Sequence, residues 1–275
     1  MRAFIVSYPL PKPAGPVGSL RGPILYAAVR PAAKKPLSTG RVFVHALGPL
    51  KASDYFTLPP SLGAFRAFFA AEAPPWEWVR QIAPALGAHA FDSRPPAVPP
   101  GVHLEGFVHL GEGVSLPAYA TIIGPVWIGA GSQIRPGAFI RGNVIAGEGC
   151  VLGNASEFKN CLLMDGALAP HFNYVGDSVL GNRAHLGAGA ICSNLRLDQK
   201  RVLVHAAGGA VDTGLKKFGA ILGDAAEVGC NAVLNPGTLL GPRSLVMPGV
   251  SFGGVLPPET IARVRQQVTL VPRRF

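Results

Sequence analysis

Residues 102–140 read VHLEGFVHLGEGVSLPAYATIIGPVWIGAGSQIRPGAFI, and this stretch decides the fold. An aliphatic residue recurs at every sixth position, beginning with Leu104 and Leu110, and two positions before it stands a residue that is usually small. The pattern can be followed through 21 hexapeptides between residues 102 and 252, with two interruptions. Neither an amphipathic helix, with a period of about 3.6, nor a simple alternating strand, with a period of 2, produces it. A fixed short period indicates a solenoid, in which each repeat buries its apolar face against its neighbours.

The segments outside the repeat divide the chain. Residues 1–53 are predicted to form a Pro-rich basic flank, and residues 54–99 a short helical region in which Pro75 starts a helix and Gly87 ends it. The solenoid is predicted over 100–255, with a projecting loop at 193–219 that contains a hairpin. Residues 256–275 are predicted to form a short C-terminal helix and tail.

Charge and composition exclude several classes of protein. The formal charge of +10 resides in the flanks: residues 1–53 contribute +8 and residues 256–275 contribute +3, while 54–255 sum to −1. The nearly neutral body argues against nucleic-acid binding. No run of about 18 apolar residues is present, so no membrane span is predicted. The four cysteines show no CxxC pairing and are expected to be buried free thiols in a reducing cytoplasm.

The first interruption of the repeat falls in APHFNYVGDSVLG, residues 169–181. Phe158 and Tyr174 stand two positions closer together than one full coil of three hexapeptides requires. A corner shortened here is expected to leave His171 outside the core, about one coil from Glu157 and Lys159. Arg141 precedes Lys159 by one full coil of three hexapeptides and is therefore predicted to lie in the same column.

The six-residue repeat resembles that of the hexapeptide-repeat acyltransferases. This resemblance implies an all-β fold, a left-handed parallel β-helix, and 21 hexapeptides at three per coil would make about seven coils. The runs EFKN, PHFNYVGDSVLG, HLGAGAICSNLRLDQK and KKFGAILG are similar to the acetyltransferase half of the bifunctional sugar-1-phosphate enzymes. These are the bacterial glucosamine-1-phosphate acetyltransferase/uridylyltransferase and its archaeal relatives, and the archaeal type is the more similar in the third and fourth runs.

The same resemblance implies roles for individual residues. His171 matches the general base for amine acetylation, a task that suits a neutral imidazole near pH 7. Glu157 is expected to orient that ring, and the amide of Ala188 matches the donor to the oxyanion. Tyr174 and Asn194 match residues that hold the sugar, and Asn194 also helps to place the acyl donor.

The resemblance also implies anion-binding residues. Lys159 and Lys200 match lysines that contact phosphate. A phosphate-binding arginine has two candidates: the motif IRPG favours Arg135, whereas the one-coil spacing favours Arg141, which we expect. Asp224 stands where the bacterial enzymes have a serine near the acyl donor, and this departure, with His185 and Leu203, leaves the substrate open.

The sequence therefore predicts a cytoplasmic homotrimer that transfers acetyl from acetyl-CoA, as co-substrate, to the amine of an amino-sugar phosphate or a nucleotide-linked amino sugar. No metal is expected. Nucleotidyl transfer is not expected, because fewer than 100 residues precede the solenoid. Two alternatives stay open: a non-catalytic trimeric scaffold that descends from such an enzyme, and an acyltransferase that uses a longer acyl chain on a nucleotide sugar.

Overall fold

The computed structural model describes residues 50–92, 97–206, 208–265 and 267–273 of the chain. Most of the predicted basic flank, residues 1–53, lies outside the described residues. Two 3₁₀ helices, Ala52–Asp54 and Pro60–Phe68, are followed by helix α1, Pro75–Ala88. Helix α1 begins at the predicted proline and ends one residue after Gly87, as the sequence indicated. No helix in the described part of the chain is long and apolar enough to cross a membrane.

A parallel β-solenoid follows the helices, built from strands of two to eight residues. The strands, in chain order, are β1 Val102–Glu105, β2 Val108–Leu110, β3 Ala120–Ile123, β4 Val126–Ile128, β5 Gln133–Ile134, β6 Phe139–Ala146, β7 Val151–Asn154, β8 Glu157–Leu163, β9 Leu168–His171, β10 Tyr174–Leu180, β11 His185–Leu186, β12 Ile191–Cys192, β13 Leu203–Ala206, β14 Gly209–Asp212, β15 Ala220–Leu222, β16 Glu227–Val228, β17 Val233–Leu234, β18 Thr238–Leu240, β19 Leu245–Val246, β20 Ser251–Phe252, β21 Val255–Leu256 and β22 Ile261–Ala262.

The strands stack into three faces. Face A contains β1, β3, β12, β17, β20 and the first halves of β6, β8 and β10; face B contains β2, β4, β15, β18, β21 and the second halves of the same three strands. Face C contains β5, β7, β9, β11, β16, β19 and β22. The aliphatic residues of the repeat, such as Ile122, Ile140 and Phe158, fill the interior and are fully buried. The hydrophobic stacking predicted from the period of six is therefore confirmed.

The solenoid has about nine turns, where the sequence predicted about seven coils. The count of hexapeptides stopped at Phe252, but the chain continues into β21 and β22. Leu239 pairs with Val255, and Leu245 with Ile261. These last coils are therefore two positions shorter than three hexapeptides, which hides them from a search for a period of six.

The predicted C-terminal helix is wrong. Within residues 256–265 and 267–273 no helix is present, and Ile261–Ala262 instead pairs with Leu245–Val246 of β19. The exposed edge of face C offers backbone hydrogen-bonding groups to any strand that follows, and such pairing overrides the helical propensity of the sequence ETIARVRQQV.

The shortened corner is present, but the sequence placed it wrongly. Register partners are a full three hexapeptides apart up to Arg141 and Lys159. They are one position closer from Val144 and Cys161 through Tyr174 and Ile191, with a bulge between Arg141 and Val144. The missing residue therefore lies at the bend between faces A and B. Asn143, Asn160 and the corresponding Asp177 all have positive φ there, at 61°, 47° and 48°. Short polar residues adopt this left-handed conformation at the lowest energetic cost.

The N-terminal helices pack onto face B. Trp78 and Ile82 of α1 and Leu62 and Phe65 of the second 3₁₀ helix are buried against face B, where Leu162 is one of the partners. The loop at 193–219 forms the predicted hairpin of β13 and β14, and it also packs on its own chain: Val202 and Val204 are fully buried, and Arg80 Nη2 donates to the Thr213 carbonyl at 2.8 Å. The three cysteines at 150, 161 and 192 are buried as predicted, whereas Cys230 is exposed.

Aromatic rings join the helical region to the first strands of face B. The His109 ring stacks on Trp127 with centroids 3.7 Å apart, and Phe65 and His89 also pack against Trp127. Burial lowers the pKa of His109, and the neighbouring His89 lowers it further. The folded protein therefore favours the neutral form of His109.

This shift predicts that the protein loses stability as the pH falls below about 6.5, because the unfolded chain takes up a proton there that folded His109 resists. Urea unfolding between pH 7.5 and 5 measures the effect. The variant His109→Phe keeps an aromatic ring against Trp127 but cannot titrate, so its stability is expected to depend less on pH. Identical pH dependence in both proteins would contradict the assignment.

Candidate active site

His171 lies at the last position of strand β9, on face C, and its side chain is exposed. The Asn173 side-chain oxygen accepts a hydrogen bond from the His171 backbone N–H at 3.1 Å, and the His171 carbonyl accepts one from the Gly189 N–H at 3.0 Å. The backbone is thus fixed on both sides while the imidazole faces solvent. Such a ring stands outside the core, as the sequence predicted, and is free to meet a ligand.

Arg135 is the cation beside this imidazole. Its Nη1 lies 3.3 Å from His171 Nε2 and 3.5 Å from the Pro170 carbonyl, while its Nε donates to Gln133 at 2.9 Å. A guanidinium can only donate, so this contact is a hydrogen bond in the tautomer that carries its proton on Nδ1 and accepts at Nε2. Nε2 of His171 therefore points to Arg135.

Arg141, which the one-coil spacing favoured, lies on face A and is paired with Glu157. Its Nε and Nη2 both lie 2.7 Å from the same carboxylate oxygen. The strand register pairs Glu157 with Tyr174, while His171 is paired with Asn154. Glu157 therefore belongs to the neighbouring face and binds Arg141, and the side chain that contacts the His171 ring nitrogen is Arg135.

Asp177 is the centre of a polar network under face A. Its carboxylate is 6% exposed and accepts two bonds from Lys159 Nζ, at 3.0 and 2.9 Å. Asn160 and Asn194 donate to it at 2.9 and 2.5 Å. Residues from three successive coils thus meet on one buried carboxylate, and Lys159 is held in place with its charge balanced. The sequence motifs named Lys159 and Asn194 but missed Asp177.

Tyr174 and Asn194 are brought together by the fold. Asn194 Nδ2 lies 3.1 Å from the Tyr174 hydroxyl, and the side chain of Tyr174 is half-buried on the outer side of face A. Burial raises the pKa of Tyr174, and the hydrogen bond from Asn194 offsets part of that shift. The phenol is therefore neutral at pH 7, and its own proton remains available for a bond to a ligand.

Asn173 forms the corner between His171 and Tyr174. It is 3% exposed, and its Nδ2 donates to the carbonyls of Gly187 and Ala190 at 2.8 and 3.2 Å. Its backbone N–H donates to Ser156. This buried amide fixes the angle between the strand that carries His171 and the strand that carries Tyr174. Sequence reasoning missed it; an asparagine next to the interruption of the repeat is the signal that was present.

Ala188 lies in the turn that contacts His171. The neighbouring Gly189 donates its amide to the His171 carbonyl and has a φ of +73°, a conformation that favours glycine. Ala188 itself is half-buried, and its carbonyl accepts from Asn231 at 2.8 Å. Among the described residues, the Ala188 N–H donates no backbone hydrogen bond. The amide therefore has no backbone partner in this part of the chain, as an oxyanion donor requires.

Asp224 is engaged elsewhere. Its carboxylate accepts from the Asn182 backbone N–H at 2.7 Å, from the Asn182 side chain at 2.9 Å and from the Thr57 N–H at 3.3 Å. These contacts fasten the N-terminal helical region to the solenoid. We therefore assign Asp224 a structural role and not a role in binding the acyl donor.

Lys200 lies in the loop at 193–219, which leaves the solenoid directly after Asn194. Leu195 pairs with Lys217 at the base of this loop, and the Phe218 N–H donates to the Asn194 carbonyl at 2.9 Å. Lys200 is exposed and lines an open groove, so it is not among the residues that surround Asp177. Within the described residues, no group of three or more His, Cys, Asp or Glu side chains could hold a metal ion.

The fold and the repeat together define a hexapeptide-repeat β-solenoid, and comparison with known proteins extends this. Residues 122–245 match the family model described as the GMPPB C-terminal domain. A bifunctional sugar-1-phosphate nucleotidylyltransferase/acetyltransferase from Sulfurisphaera tokodaii is 34% identical over 175 residues, which are 64% of this chain and 44% of the relative. The bifunctional protein GlmU of Methanococcus vannielii is 37% identical over 113 residues, 41% of this chain and 27% of the relative.

The resemblance to the bifunctional sugar-1-phosphate proteins that the sequence indicated is thereby confirmed for the solenoid, and the chain spans less than half the length of these relatives. A solved UDP-N-acetylglucosamine acyltransferase from Francisella novicida aligns with a TM-score of 0.35 and 12% identity, over 55% of this chain and 54% of that one. That similarity is too low to support any comparison of sites.

Proposed function

We propose that this protein is an N-acetyltransferase that moves an acetyl group from acetyl-CoA to the amine of an amino-sugar phosphate or a related nucleotide-linked amino sugar. The observation that carries the proposal is the exposed His171 imidazole, with Nε2 pointing to Arg135 and the Gly187–Gly189 turn against its backbone. Homology of the solenoid to sugar-1-phosphate nucleotidylyltransferase/acetyltransferases supports the same reaction class.

The proposed reaction follows from these groups. As the amine nitrogen attacks the thioester carbon, His171 Nε2 takes a proton from it, which an imidazole can do near pH 7. The carbonyl oxygen becomes an oxyanion and accepts a hydrogen bond from the Ala188 amide. When the tetrahedral intermediate collapses, the carbon–sulfur bond breaks, and the CoA thiolate takes the proton from His171. The products are an N-acetylated sugar and free CoA.

Arg135 has a further part in this proposal. Its guanidinium contacts neutral acceptors, Gln133 and the Pro170 carbonyl, besides the imidazole. Arg141 and Lys159 are each paired with a carboxylate, so their charge is balanced. We therefore assign the anionic group of the acceptor to Arg135. Its binding would draw the guanidinium away from Nε2 and free that nitrogen to act as a base.

Tyr174 and Asn194 are proposed to hold the sugar, because they lie across the Asn173 corner from His171 and present a neutral hydroxyl and an amide. Polar, uncharged groups of this kind suit the hydroxyls of a sugar ring. Lys159 is proposed to take an indirect part in the site, because its ammonium group is held by the Asp177 carboxylate. The working unit is proposed to be a homotrimer in the cytoplasm.

Release of free thiol from acetyl-CoA, followed with a thiol reagent, tests the proposal. We expect release that depends on glucosamine-1-phosphate, galactosamine-1-phosphate or a nucleotide-linked amino sugar, and an acetylated product in the mass spectrum. The N-acetylated form of the same sugar is the matched control and is expected to give no thiol. The absence of turnover across this panel would favour the non-catalytic scaffold. A preference for longer acyl-CoA donors would favour an acyltransferase that uses a longer acyl chain on a nucleotide sugar.

A further inference from the structure

The loop at 193–219 carries a groove that is separate from the His171 site. Its volume is about 580 Å³, within the range of small-molecule pockets. Four cations line it, Arg196, Lys200, Arg201 and Lys216, and its described lining includes no acidic residue. A groove of this size with such a charge fits a small anion rather than a long polyanion.

Carboxylates next to the groove form ion pairs with two of these four cations. Asp198 binds Arg196 through two bonds, at 2.9 and 2.7 Å, and the Arg196 side chain holds the pKa of Asp198 below its usual range. Asp212 lies 3.6 Å from Arg201. Lys200 and Lys216 form no ion pair with any carboxylate of the described residues. They come from the outgoing and the returning limb of the loop, and both line one groove. Asp198 also accepts a hydrogen bond from the Lys200 backbone N–H at 3.1 Å, so this carboxylate offsets part of the Lys200 charge.

The groove is connected to the proposed acetylation site through the chain. Asn194 contacts both Tyr174 and Asp177, and Arg196 follows it closely in the sequence. On the returning limb, Lys217 pairs with Leu195, so Lys216 lies close to the same base of the loop. A ligand that occupies the sugar site at Tyr174 and Asn194 can therefore extend towards the groove those anionic groups that Arg135 does not bind.

We infer that this groove binds a diphosphate, with Lys200 and Lys216 each contacting one of its two phosphates. In a diphosphate diester each phosphate carries one negative charge, and this matches two separate ammonium groups better than a single phosphate does. Nucleotide-linked sugars and CoA both contain this group. The inference rests on the proposed function for its link to an amino sugar, and it narrows the ligand to a molecule with two adjacent phosphates.

Calorimetric titration of the full chain with inorganic pyrophosphate tests the groove, with inorganic phosphate as the comparison ligand. We expect pyrophosphate to bind more tightly than phosphate, and Lys200→Gln and Lys216→Gln each to weaken it about tenfold. Lys217→Gln is the matched control: it removes the same charge at the adjacent position, it is exposed, and Lys217 does not line the groove. It is expected to leave binding unchanged. An equal loss in Lys217→Gln, or no loss in the other two variants, overturns the inference.

The same variants identify the source of the diphosphate. A loss of UDP affinity in Lys200→Gln and Lys216→Gln assigns the groove to a nucleotide-linked acceptor, and a loss of CoA affinity assigns it to the donor. A loss with neither ligand overturns the inference. Thiol release that depends on His171 but occurs without pyrophosphate binding would reject the groove alone, whereas pyrophosphate binding without any thiol release would reject the proposed function alone.

Discussion

Replacing His171 with alanine is expected to lower kcat for thiol release from acetyl-CoA by about 10²–10⁴-fold, because the amine then loses its proton to water instead of a positioned imidazole. The ring is exposed and its backbone hydrogen bonds are kept, so the variant is expected to fold as the wild type does. KM for the acceptor is expected to change far less than kcat, since the proton transfer concerns the transition state. The thiol assay used for the wild type measures both constants.

His103→Gln is the matched control for this experiment. His103 is also exposed and lies in β1, in the first coil of the solenoid, where its ring is 3.8 Å from Glu105. Its replacement is expected to leave both constants unchanged. Equal rates in His171→Ala and in the wild type would exclude the imidazole as the base and leave the scaffold as the better explanation.

Replacing Asp177 with alanine is expected to lower the free energy of unfolding by about 3 kcal/mol, because it leaves the partly buried Lys159 ammonium without its counter-ion. The bonds from Asn160 and Asn194 are lost as well. The alanine must also adopt the positive φ of 48° that Asp177 has, which adds to the loss. Urea-induced unfolding, followed by tryptophan fluorescence, measures the difference.

Two further variants serve as comparisons for Asp177→Ala. Asp177→Asn keeps a residue that tolerates positive φ and can still accept hydrogen bonds, so we expect a smaller loss than with alanine. Asp198→Ala removes an exposed carboxylate that is paired with Arg196 at the surface, and its effect is expected to be small. A loss in Asp177→Ala no larger than that in Asp198→Ala would show that the network does not stabilise the solenoid.

The fold was accessible from the sequence because the repeat reports the packing directly. Each aliphatic position that recurs in the period of six points inward, and the stacking of one coil on the next buries it. What the repeat could not report was the position at which a coil becomes shorter than three hexapeptides. Those coils depend on single corner residues such as Asn160, whose left-handed backbone carries no hydrophobic signal. The C-terminal strand β22 was missed for the same reason.

The choice between Arg135 and Arg141 shows how far spacing can be used in such a fold. The one-coil spacing does place Arg141 beside Lys159, as expected. It does not bring Arg141 to the imidazole, because His171 ends strand β9 of face C, and Arg135 directly follows strand β5 of the same face. The motif IRPG favoured the arginine that contacts His171, since it marks the corner at which face C ends. The position of a residue within its coil fixes the face on which it lies. It therefore predicts contacts with His171 better than a one-coil spacing to another residue does.

Asp177 and Asn173 had no signal that a motif search would weigh. Each is a buried polar residue whose partners come from the coils before and after it, far away in the sequence. Buried polar groups need hydrogen bonds, so the network is a requirement of the fold, yet which residues meet there is fixed only by the register. Lys200 is the opposite case. The motif identified this residue, but its position in a groove depends on the path of the loop and could not be predicted from the sequence.

A crystal structure of the protein with CoA and an amino-sugar phosphate tests the central claim most directly. The measured quantity is the distance from the acceptor nitrogen to His171 Nε2. We expect about 2.6–3.2 Å, with the Arg135 guanidinium moved from the imidazole to the anionic group of the acceptor. An acceptor bound on another face of the solenoid, or an Arg135 that still occupies Nε2 with the ligand in place, would contradict the account.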